Sequence, residues 1–126
     1  MSAKSRELFL KSVIVLAVMV FSLLPEPLKA QFATTGFMHR FSHFAAFFIT
    51  YVVIAARVRR FSVSAALAIL LVGLGTALEV VQSAVYGNFL EYWDIRDNTC
   101  GVILGWWLQR VAVGLKRDRV TVSRSY

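Results

Sequence analysis

The chain has 126 residues, room for one domain and not two, and 58% of them are hydrophobic, with 10 Phe and a mean hydropathy of +0.65. That is too apolar for a water-soluble domain of this size, and the single Cys100 excludes an intrachain disulfide. A net charge of +7 invites a nucleic-acid reading, which the placement of the charges removes.

The first apolar segment, about residues 8–24, opens near Lys4, Arg6 and Lys11 and ends at Pro25 and Pro27, which mark a loop. A signal peptide cleaved after Ala30 is the competing reading, but Leu28 and Lys29 make a poor small-residue cleavage site. The second and third segments, 37–56 and 61–86, each match the roughly 20 apolar residues that cross a hydrocarbon core. The fourth, about 95–115, carries Arg110 near its end, where a long basic side chain can reach the interface. A basic tail, 116–126, follows. No strand-like alternation appears. The expected fold is all-α, a single-domain four-helix transmembrane bundle.

The basic residues set the expected orientation. Lys4, Arg6, Lys11, Arg57, Arg59, Arg60, Arg110, Lys116, Arg117, Arg119 and Arg124 fall on one side; Lys29, Arg40 and Arg96 fall on the other. Both termini are therefore expected in the cytoplasm, the protein in the inner membrane, and the tail cytoplasmic. The positive charge is then a topology signal with anionic lipid as its partner, and no nucleic acid is needed.

Acids are absent from the second segment and most of the third, until Glu79 interrupts an uncharged run that begins at Phe61. At 1.5 Å per residue Glu79 lies about 10 Å below Tyr86, and His43 about 9 Å inside Phe37. Arg40, His43, Glu79, Gln82, Asp94, Asp97 and Asn98 thus arrive from three helices at one depth, near the outer leaflet, and polar groups sharing a depth in lipid have strong reason to meet. Glu79, Gln82 and Tyr86 share a helical face, as do Arg40, His43 and Phe47. Asn98, Gly101 and Gly105 share another, with Gly101 and Gly105 forming a small-xxx-small pair suited to close helix packing. Tyr92 and Trp93 suit an outer aromatic belt. Cys100 reads as a small packing residue.

Three roles fit this cluster: a hydrogen-bonded knot that fixes helix register, a pocket for substrate or proton chemistry, and a metal site built from His39, His43 and the acids. The ligand types of the last suit zinc or manganese, but no ligand spacing is recognised, so neither a metal nor any other cofactor is expected.

The segments RFSHFAAFF, ALEVVQ and GNFLEYWDIRDNTCGVILG resemble the VanZ-like family of small bacterial membrane proteins. Relatives show Asp-Lys-x-x-His at the start of one helix, Glu-x-x-Gln near the end of the next, a Gly-Arg loop, and Asp-x-x-x-Asn-x-x-Gly leading into the last. His43, Glu79, Gln82, Asp94, Asn98 and Gly101 match, and Arg40 stands where Lys is usual, over about residues 37–108. His39 replaces the usual Asp, and Asn88 the usual Arg, so an anion contact made by that arginine is lost here or moved to Arg96. The resemblance implies a cell-envelope protein connected with resistance to glycopeptide antibiotics, teicoplanin especially.

Two functions follow. In the first, an enzyme acts on a lipid-linked or cell-wall glycan substrate at the outer leaflet. His43 is then general base, oriented by Glu79, and Arg40, Gln82, Asp94 and Asn98 bind the substrate. In the second, a non-catalytic binding or assembly protein uses the same residues to hold precursors, glycopeptides or its own helices. The chain has no nucleophile elbow, no Walker loop and no HExxH. A channel or proton path comes third, because four short helices leave little room for one.

Overall fold

The computed structural model describes residues 2–22, 37–87 and 89–122, and these residues form four α-helices and no strand. They are α1 (Ala3–Ser22), α2 (Phe37–Ala55), α3 (Phe61–Tyr86) and α4 (Tyr92–Val122). The helical bounds expected at 37–56 and 61–86 differ from the observed ones by one residue at most. The fourth helix starts three residues before the expected 95 and continues through Val122, so the first part of the expected basic tail is helix. Residues 23–24, the cleavage position after Ala30, Lys29, Asn88 and the last four residues lie outside the described residues.

Each helix ends where its chemistry allows. Gly87 closes α3 in the left-handed region, at φ 67°, a conformation that costs glycine nothing because it lacks a Cβ. The turn after α2 is held by the Val58 amide donating to the Ala55 carbonyl at 2.9 Å. It is also held from α4: the Gln109 Nε2 donates to the carbonyls of Val58 and Ala55, and Arg110 Nη1 donates to that of Arg59 at 3.1 Å. These contacts satisfy the Ala55 carbonyl, which the helix end leaves without an intrahelical partner, and two carbonyls of the connection after it.

The inner face of α2 is His43, Phe47, Thr50, Tyr51 and Ala55, which recur at helical spacing. The most extensive contact is between α2 and α4, which run parallel and nearly in register, so that His39 meets Asp94, His43 meets Asn98 and Ala55 meets Gln109. Glycine permits that approach. A Cβ on Gly101 would drive into the Phe44 carbonyl oxygen and lie 3.1 Å from the Phe48 amide nitrogen, and one on Gly105 would lie 3.1 Å from the Tyr51 ring. Gly75 of α3 completes the contact, facing the Phe47 ring and the Asn98 Cβ. Cys100, expected to pack, is instead exposed; its neighbour Gly101 takes the buried position.

The interior inverts the usual order of a water-soluble protein. Among the described residues, nine polar or charged side chains are buried against six hydrophobic ones, while 28 large hydrophobic residues are exposed, including Leu8, Ile69, Leu70 and Val85. In water such a surface would be an aggregation liability. Helices α2 and α3 are long and apolar enough to cross a membrane. The other two expected spans are not in that class: α1 carries Lys4, Arg6, Glu7 and Lys11, and α4 carries charge towards both ends.

Candidate functional site

The buried polar groups separate into two clusters at opposite ends of α2. The lower one was not anticipated from sequence. There the Tyr51 hydroxyl lies 2.9 Å from that of Ser64, which donates to Gln109 Oε1 at 3.1 Å, while Gln109 closes the α2 turn. Its polar atoms bond to one another and to backbone, as a structural staple does. Beside it the basic end is tied together by Glu7, which pairs with Lys11 at 2.8 Å and with Arg57 at 2.5 Å.

The upper cluster holds the residues singled out above, and its centre is His43, 5% exposed. One imidazole nitrogen, Nδ1, lies 3.2 Å from Asn98 Oδ1 and 3.8 Å from the Glu79 carboxylate. The other, Nε2, lies 3.3 Å from Asp94 Oδ2. The same Asp94 oxygen is 2.9 Å from Nε2 of His39, whose ring stands edge-on to that of His43 with centroids 4.7 Å apart. Asp94 and Glu79 are 2% and 3% exposed, so both carboxylates lie in a region poor in water. Gln82 is buried one turn from Glu79 on the same face of α3.

Towards the outside the cluster changes character. Arg40 is half-exposed and donates through Nε to Asp97 Oδ2 at 2.9 Å; Arg96 donates to Asp97 Oδ1 at 2.6 and 2.9 Å. Both guanidinium groups also lie over the Trp93 ring, at 5.1 and 4.4 Å from its centroid. Arg40 therefore points to Asp97 and Trp93 rather than sharing the buried position of His43 and Phe47, although all three share a helical face. Asp97 is neutralised by two arginines, whereas Asp94 meets two imidazoles. Tyr92 and Trp93 are exposed. Trp106 packs edge-on against Phe61 near the opposite end, and Trp107 is exposed there.

One partner falls outside the sequence reading. Glu91, whose Oε2 is 3.8 Å from His39 Nε2, lies on the half-exposed rim. His39, which the sequence offers both as a metal ligand beside His43 and as a departure from the family motif, forms with it a His-x-x-x-His pair, HRFSH, whose i, i+4 spacing sets two imidazoles on one face. That signal was available in the sequence.

No family model, no curated protein and no solved structure matches the chain.

Proposed function

We propose that this is a multi-pass protein of the bacterial inner membrane, of VanZ-like type, with both termini cytoplasmic and a working polar pocket near the outer leaflet. The inverted distribution of side chains and the two long apolar helices support the membrane setting. The collection of Arg57, Arg59 and Arg110 with the start of α1 at one end supports the orientation. Its substrate class is a lipid-linked or cell-wall glycan bearing anionic groups, engaged by the half-exposed Arg40 and Arg96. His43 supplies the base, with Glu79, Gln82, Asp94 and Asn98 around it.

The observation that carries this reading is the environment of His43. Both its ring nitrogens face hydrogen-bond acceptors, Asn98 and Glu79 on one side and Asp94 on the other, inside an apolar bundle. A register-fixing knot needs one partner per group, and buried carboxylates around an imidazole are expensive in such a setting. The lower cluster shows how this chain builds a knot, from neutral Tyr, Ser and Gln alone.

The test is Glu79→Gln, which keeps size and most hydrogen bonding while removing charge and basicity. The protein is expected to accumulate normally in the membrane and to lose its effect on teicoplanin sensitivity and on the profile of lipid-linked precursors. A Glu79→Gln protein with normal abundance and a normal phenotype refutes the pocket.

A further inference from the structure

We propose that His39, His43 and Asp94 form a binding site for one divalent transition-metal ion of the zinc type. The inference rests on the reading of the upper cluster as a working pocket and names the ligand held there.

The three residues each offer one ligand atom, and those atoms lie within 4.8 Å of one another. Ligands placed tetrahedrally about zinc at its usual bond lengths stand roughly 3.4 Å apart. The Nε2 atoms of His39 and His43 lie 2.9 and 3.3 Å from Asp94 Oδ2, so small adjustments of three side chains admit an ion. The pair on α2 comes from the i, i+4 spacing, and the carboxylate from the first turn of α4.

The protonation pattern points the same way. With Asn98 Oδ1 and the Glu79 carboxylate both on the Nδ1 side of His43, the proton belongs on Nδ1, where the N–H donates to Asn98. In that tautomer Nε2, 3.3 Å from Asp94 Oδ2, is the nitrogen left to bind an ion. A ligating histidine whose second nitrogen donates to a carbonyl or carboxylate is the usual support of a metal centre. A second, independent feature is the other oxygen of Asp94. Oδ1 is buried and has no hydrogen-bond partner among the described residues, an unmet acceptor at the edge of the site. Two imidazoles and one carboxylate suit zinc over magnesium or calcium, which take oxygen ligands. Three protein ligands leave a fourth position for water, substrate or Glu91 on the rim, as in zinc centres that carry out chemistry.

The experiment uses the full chain purified in detergent through an affinity tag free of histidine, stripped with chelator and titrated with Zn²⁺ and with Co²⁺. One Zn²⁺ per chain is expected, and Co²⁺ should give the intense visible absorption of a four-coordinate ion. His43→Ala and Asp94→Asn should weaken Zn²⁺ binding at least 100-fold. Because those positions are buried, His39→Gln at the rim is the deciding variant: helical content and monodispersity unchanged, affinity lowered at least tenfold. Asn98→Ala, which touches no metal, should lower affinity by about 10- to 100-fold through the loss of its support to His43. A Zn²⁺ stoichiometry no higher than that of a His39→Gln, His43→Ala double variant overturns the proposal, as does an octahedral, weakly absorbing Co²⁺ spectrum. Either result leaves the envelope phenotype of the wild type untouched and so strikes the metal site alone. A Glu79→Gln protein of normal phenotype would instead strike the pocket reading.

Discussion

Replacing Gly101 with Ala should open the contact between α2 and α4 and destabilise the protein, although Ala is the better helix former. The added Cβ meets the Phe44 carbonyl oxygen well inside van der Waals contact and lies 3.1 Å from the Phe48 nitrogen, and both are backbone atoms that no rotamer change can move. The helices must therefore separate by on the order of 1 Å, the overlap implied by carbon contacts of about 3.5–4.0 Å. The His43–Asn98 contact at 3.2 Å and the His39–Asp94 contact at 2.9 Å then both pass out of hydrogen-bond range. Overpacking costs roughly 1–3 kcal/mol. Each weakened interhelical hydrogen bond adds about 0.6–2 kcal/mol. Against these stands a helix-propensity gain of about 1 kcal/mol. The net expectation is a loss of roughly 1–6 kcal/mol, by the same principles. Gly73→Ala and Gly114→Ala are the controls, since a Cβ at either position meets nothing within 4 Å. They should be neutral or stabilising by up to about 1 kcal/mol. Reversible unfolding in mixed micelles, followed by circular dichroism, measures all three. A Gly101→Ala protein as stable as the Gly73→Ala protein would show that α2 and α4 do not pack as described.

Gln109→Leu should destabilise by roughly 1–3 kcal/mol per stranded polar group, since it removes the partner of the Ser64 hydroxyl and of two carbonyls after α2. Its Zn²⁺ affinity should nonetheless stay within twofold of wild type, and a large fall in affinity would contradict the separation of the two clusters. A double-mutant cycle on His43→Ala and Glu79→Ala should show coupling in unfolding free energy, because the two side chains stand 3.8 Å apart; strict additivity would sink that contact. In a Cys100→Ala background, Leu90→Cys should react with an impermeant thiol reagent added to intact cells and Arg59→Cys should not. The reverse pattern would invert the topology and place the pocket on the cytoplasmic side.

Hydropathy by itself located the helical segments and the bounds of the second and third, because the length of an apolar run and the punctuation around it are local properties. It also placed the polar residues of the site at one level, since depth along a helix is a count of residues at a fixed rise. What sequence could not supply was rotation about each axis and the choice of neighbour. Arg40 and His43 share a face in the sequence pattern, yet Arg40 turns outward to Asp97 and Trp93 while His43 is enclosed. The sequence reading paired His43 with Glu79. The folded chain also sets Asp94 between two imidazoles, and this depends on the parallel register of α2 and α4, with its close approach at Gly101. Nothing in the sequence singles out Ser64 and Gln109, because a neutral hydroxyl or amide carries no sequence signal of its partner. Only the tertiary contact between helices 45 residues apart in the chain joins them, and burial makes that pairing obligatory, since each would otherwise leave a polar group unsatisfied away from water.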